Sequence, residues 1–174
     1  MSGSRIECVM LVHGEYTNVN TFDAAFRSLP PPQWRDRKCA YQPRYSLNAL
    51  CPVPEEVLRR GYKTAGHLWC KRFWGSSDDL KLKNMVRSVG LRSYRFTVPG
   101  KAPVEALRCA SWNYPTVVIQ LQYIDTEPSY LLSKDANSVV VRHEMCGGQD
   151  MTSQFPNRAN IRRIPDGGLH GLLL

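Results

Sequence analysis

The stretch Arg5–Val12, RIECVMLV, constrains the fold more than any other part of the chain. In an extended conformation Ile6, Cys8, Met10 and Val12 share one face, while Val9 and Leu11 keep the other face apolar. A strand that is apolar on both sides belongs in the middle of a sheet. The remaining residues must then supply neighbours at both edges and a layer to cover at least one face. Leu91–Val98 and Thr116–Ile124 alternate as such neighbours would, and Tyr130–Ser133 with Ser138–Glu144 reads as a hairpin around residues 134–137.

Between these strands the pattern changes to helical spacing. Phe22, Ala25, Phe26 and Leu29 predict a helix from about Thr21 to Leu29, closed by three prolines. Gln33–Pro54 is irregular, with a short strand over Lys38–Gln42. Pro54 opens a helix expected to run to about Phe73. Gly75–Asp79 looks like a stop followed by an N-cap, predicting a further helix to about Val89, and Pro103–Ala110 forms another. Strand 91–98, helix 103–110 and strand 116–124 would make a β-α-β unit. The sum is an α+β (or α/β) single domain, with a mixed sheet of about five to six strands and three to four helices packed on it. Residues 1–146 form the globular part and 147–174 an irregular tail. A chain of 174 residues buries enough surface to need no staples.

Charge is distributed unevenly. The net charge is +8, yet Arg35–Arg95 alone holds fourteen Lys/Arg against five Asp/Glu. This segment is expected to be mostly helical. No apolar run approaches a membrane span, and no secretory leader is legible. The six cysteines lack a small-scaffold rhythm and read as reduced thiols, so the expectation is a cytosolic protein.

His13-Gly14 closes the first strand and invites a catalytic reading. An α/β-hydrolase is excluded, because no G-x-[Ser/Cys]-x-G elbow exists to carry a nucleophile. Leu11-Val12-His13-Gly14, with Asn18 and the helix from Thr21, resembles the opening of ADP-ribosyltransferases that hold NAD with a His-Tyr-Glu trio. Glu15 stands where that family carries Thr or Ser. The resemblance implies that His13 bonds the nicotinamide ribose and that Tyr62 or Tyr94 stacks on the nicotinamide. Glu144 would polarise the ribose as the glycosidic bond breaks. His67-Leu-Trp-Cys70 and His143-Glu-Met-Cys146 repeat an H-x-x-C spacing, but no C-x-x-C knuckle accompanies them and zinc is not expected.

The basic third interleaves cations with flat rings. Trp34, Arg35, Arg37 and Lys38 come first, then Arg59, Arg60 and Lys63, then Lys71 and Arg72, and lastly Arg92 and Arg95. Cations displace counterions from phosphates, and aromatic faces stack on unpaired bases. The leading expectation is a small nucleic-acid-binding protein without a cofactor, favouring RNA or single-stranded DNA over duplex. The alternatives are the NAD-consuming transferase centred on His13 and Glu144, and an inhibitor or adaptor that meets an acidic protein surface.

Overall fold

A computed structural model describes residues 4–39, 44–125 and 139–156. Six strands form one sheet: β1 (Arg5–His13), β2 (Lys81–Ser88), β3 (Leu91–Pro99), β4 (Val118–Asp125), β5 (Val139–Cys146) and β6 (Gln149–Pro156). Their spatial order is β2-β3-β1-β4-β5-β6. As its two apolar faces require, β1 is internal. Cys8 sits opposite Phe96 on one side and Tyr123 on the other, and Val12 sits between Arg92 and Ile119.

Every ladder is antiparallel. Because β3 and β4 both run against β1, they run parallel to each other with β1 between them. The helices are α1 (Tyr16–Phe26), α2 (Leu47–Leu50), α3 (Glu55–Arg60), α4 (His67–Phe73) and α5 (Val104–Asn113). The path β1-α1-β2-β3-α5-β4 through the order β2-β3-β1-β4 is the split β-α-β connectivity of ferredoxin-like domains. The predicted β-α-β unit is thus present, split by the first strand, and β5 and β6 extend the sheet beyond β4. The α+β class holds.

The core lies between one sheet face and the helices. Cys8, Met10 and Val12 with Tyr94, Phe96, Ile119 and Leu121 pack against Phe22 and Phe26 of α1 and Leu107 and Ala110 of α5. Burying each large side chain contributes about 1.5–3 kcal/mol, so this layer specifies the domain. Gly14 lets the chain leave β1 closely: its N–H donates to Gly90 O at 3.1 Å, and a Cβ there would lie 3.1 Å from Thr116 O.

Four expectations change. Residues 81–88 are strand β2 rather than a helix to Val89. The helix expected over 54–73 is broken at Gly61, where φ is +90°, and resumes as a π-helical turn over Tyr62–Gly66 leading into α4. Residues 149–156 of the expected tail pair with β5 as β6, because an edge strand needs only one partner and tolerates polar side chains. Helix α1 begins at Tyr16 rather than Thr21; in its first turn only Val19 is buried, a single apolar mark before the Phe22–Phe26 repeat. Lys38 and Cys39 lie in no strand, and the rest of the Lys38–Gln42 expectation falls outside the described residues, as do the first arm and turn of the 130–144 hairpin.

Candidate nucleic-acid interface

The basic segment is largely an insertion between α1 and β2. Residues 27–80 hold ten Lys/Arg against five Asp/Glu. Its organising contact is local. The Asp36 carboxylate accepts the backbone N–H groups of Tyr62 (2.6 Å) and Lys63 (3.0 Å), capping the π turn. Those two bonds hold the Asp36 carboxyl below the usual carboxylate range. Arg35 N–H donates to Leu58 O at 3.3 Å. The Trp34 ring, 6% exposed, packs where a Cβ on Gly66 would overlap it. These contacts lay the 34–38 turn across the joint between α3 and the π turn.

The outcome for the predicted cations is divided. Arg35, Lys38, Arg59, Arg60, Lys63, Lys71 and Arg72 are exposed. Arg59 lies 3.9 Å from an equally exposed Glu55, a pair that solvent screens to little effect. Arg72 rests over the Phe73 ring at 5.3 Å. Three others are used inside the protein. Arg37 clamps Asp78 through two bonds of 2.8 and 2.9 Å and lies 3.7 Å above the Tyr62 ring. Arg92 is buried, bonded to Ser88 O, Leu91 O and Asn20. Arg95 pairs with Glu7, which Lys83 also approaches at 3.4 Å. Burial pushes the Glu7 carboxyl up, but those two cations outweigh it and leave it lowered.

The aromatic side chains are mostly structural. Trp34 meets Tyr62 edge-on at 5.4 Å, the Tyr62 hydroxyl donates to Ser77 O, and Tyr94 is buried. The sheet face turned away from the helices carries Glu7, Val9, Leu11 and His13 on β1 and Leu91, Ser93, Arg95 and Thr97 on β3. Apart from the His13 imidazole at the end of β1, these two strands carry no ring on that face, so they lack the set of stacked aromatics that sheet-based RNA binders use.

His13 and Glu144 share that same face. Leu11, Gln120 and Glu144 form one cross-strand row, so strand spacing separates His13 from Glu144 by about 12 Å. Gln120 donates to Glu144 at 2.9 Å. Neither Tyr62, in the insertion, nor Tyr94, on the helix side, reaches this face. The two H-x-x-C pairs also stay apart. His67 meets Tyr62 edge-on above a buried Cys70, whereas His143 and Cys146 point to opposite sides of β5. No cluster of three potential metal ligands exists among the described residues.

Sequence reading missed the setting of His143. Its Nδ1 lies 2.9 Å from Asp150 and its Nε2 3.2 Å from the Tyr123 hydroxyl, with Arg108 of α5 reaching the same Asp150 at 3.1 Å. Burial pushes the Tyr123 phenol up to about 12, so it stays protonated at neutral pH. The chain Tyr123–His143–Asp150–Arg108 sews β4, β5 and β6 to α5. A signal existed: His143 follows Val139 and Val141 on the inward face of its strand, and an inward ionisable group demands partners. Comparison of this chain with family models, with curated proteins and with solved structures found no match.

Proposed function

We propose that the protein binds nucleic acid through the exposed cations of its insertion, with Arg35, Lys38, Arg59, Arg60, Lys63, Lys71 and Arg72 meeting backbone phosphates. The observation that carries this reading is the Asp36 cap with the Trp34–Gly66 contact. Together they hold the Arg35–Lys38 turn beside Lys63 and the end of α3. Loop cations fixed against a helical joint lose less freedom on binding than tethered ones. The counterions they displace would make association strongly salt-dependent.

The reading is narrower than composition suggests. Arg37, Arg92 and Arg95 serve internal pairs, and Trp34 serves the core. A reducing, cytosolic setting fits six cysteines that no disulfide joins. No helix among the described residues is long and apolar enough to cross a membrane.

The test is a titration of labelled RNA and DNA across a salt series, with Arg60, Lys63 and Lys71 replaced together by Glu. Tight binding at low salt, abolished in the triple variant, is expected. Unchanged affinity in that variant would remove the proposal, and tighter binding to an acidic protein than to nucleic acid would transfer the face to a protein partner.

A further inference from the structure

We propose that the cleft between the C-terminal end of α4 and α5 seats one unpaired base of a single-stranded nucleic acid, stacked against Trp112 and Phe73 with its phosphate beside Arg72. This rests on the nucleic-acid reading of the insertion and adds to it a place where unpaired bases are distinguished from paired ones. The cleft measures about 230 Å³ and is lined by Cys51, Arg72 and Phe73 on one side and by Glu105, Arg108, Cys109 and Trp112 on the other. Positions 105, 108, 109 and 112 form one stripe of α5, so this wall is a single helix face.

The two rings are the most exposed aromatic side chains facing a common space. Trp112 is 67% exposed and Phe73 43%. Both are held from behind. A Cβ on Gly148 would overlap the Trp112 ring, so the bare glycine in the β5–β6 turn is what lets the indole lie there. Trp69 backs Phe73 at 5.0 Å with the planes tilted by 30°. Rings already fixed in place stack on a base with little further loss of freedom.

Charge decides the class of ligand. Arg108 is committed to Glu105 (2.6 Å) and Asp150 (3.1 Å), so it shapes the wall and offsets the Glu105 carboxylate that also lines the cleft. Arg72 has no such commitment and only rests over Phe73. It also adjoins Lys71, so the cleft opens beside the basic face already described. Flat rings beside a displaceable arginine match a planar base attached to a phosphate. The volume falls below the ~300–1,000 Å³ typical of drug-sized ligands, which suits one base rather than several. Duplex bases remain paired and cannot enter.

The experiment compares wild type with Trp112→Ala and Trp112→Phe against oligodeoxythymidylate, the corresponding dA·dT duplex, and thymidine monophosphate. Trp112→Ala is expected to weaken single-strand binding about tenfold, the scale of one lost base–ring stack. Duplex affinity and the salt slope should not change, and Trp112→Phe should restore most of the loss. Tryptophan emission should be quenched by the single strand in wild type and much less in Trp112→Ala. A thermal melt checks that each variant is folded, and Phe73→Leu provides an independent lesion in the opposite wall. Salt-dependent binding that neither variant alters overturns the seat while leaving the basic face intact. Equal weakening for strand and duplex also overturns it, as does binding of the mononucleotide as tight as the strand. No binding of wild type to either polymer at low salt removes both readings.

Discussion

The Tyr94 hydroxyl of β3 donates to the buried carboxylate of Asp23 in α1 at 2.7 Å. The same oxygen accepts Tyr45 at 3.0 Å, while Arg27 and Arg87 approach the other oxygen at 3.2 and 3.5 Å. One side chain therefore joins α1, the loop before α2, β2 and β3. Burial, followed by the bond to Asp23, pushes the Tyr94 phenol far above its ordinary range, so it remains a donor throughout the working pH range. Asp23→Ala leaves two buried hydroxyls without their acceptor, while the part-exposed Arg27 and Arg87 turn to solvent, and is expected to cost about 2–4 kcal/mol. Tyr94→Phe removes one donor and leaves the carboxylate its other three partners, for about 1–2 kcal/mol. Urea unfolding of both variants checks the ordering, and equal losses would contradict it.

Gly66 sets two effects against each other. Alanine in a helix interior is ordinarily worth about 1 kcal/mol over glycine. Here the new Cβ would overlap the six-membered ring of Trp34, which is itself buried and has nowhere to swing. Overpacking of this kind costs about 1–3 kcal/mol, so the clash wins and Gly66→Ala is expected to destabilise. Displacing Trp34 also moves the attached Arg35–Lys38 turn. Nucleic-acid affinity should fall even though no cation is removed, and a melt paired with a binding titration would show both effects.

What the sequence revealed followed how directly its periodicity reports a face. Strand β1, strand β3 and helix α5 each alternate or repeat without interruption, and their positions were legible. Strand β2 looked helical for a specific reason. A bulge around Lys83 places Leu82 opposite Phe96 and Met85 opposite Tyr94, both toward the core, so two inward residues stand three apart as they would on a helix. The apparent cap at Asp79 was real but belonged elsewhere. Its carboxylate accepts Ser46 Oγ and Leu47 N–H, completing α2 from 33 and 32 residues away in the chain. For the basic face, composition supplied the count of cations but not which were spent internally. Arg92 and Arg37 look no different from Arg60 until their acceptors, Asn20 and Asp78, are brought across the fold.

Asp79 also carries a pH dependence. Withdrawal from solvent pushes its carboxyl up to about 6 from an ordinary value of 3.8, despite the bonds from Ser46, Leu47 and Leu80 that favour the charged form. The folded state therefore takes up a proton at higher pH than the unfolded chain. Stability from this group grows as pH falls from about 6 toward 4, and it is lost again as pH rises through 6. Asp79→Asn keeps an acceptor oxygen and abolishes the titration. Wild-type stability relative to Asp79→Asn should increase by about 2 kcal/mol between pH 7 and pH 4. Glu7 and Asp36, whose lowered values act in the opposite direction, are common to both proteins and cancel in the difference. A flat difference across that window would place the Asp79 carboxyl in the ordinary range.

The division between internal and exposed cations is open to a direct comparison of Arg37 with Lys63. Arg37 holds Asp78 through two bonds and covers the Tyr62 ring, so Arg37→Ala is expected to cost about 1–2 kcal/mol of stability. Lys63 is exposed, and its fixed partner is the Asp36 carboxylate on its backbone N–H rather than on its ammonium. Lys63→Ala should therefore leave the melting temperature almost unchanged. Binding should respond in the opposite pattern. Loss of one phosphate contact reduces the slope of log affinity against log salt by about 0.7 for a single strand and about 0.9 for a duplex. Lys63→Ala should show that reduction and Arg37→Ala should not, provided it is measured well below its melting temperature. If the two substitutions change the slope alike, Arg37 leaves Asp78 to meet the phosphate, and the boundary between structural and binding cations runs elsewhere in the insertion.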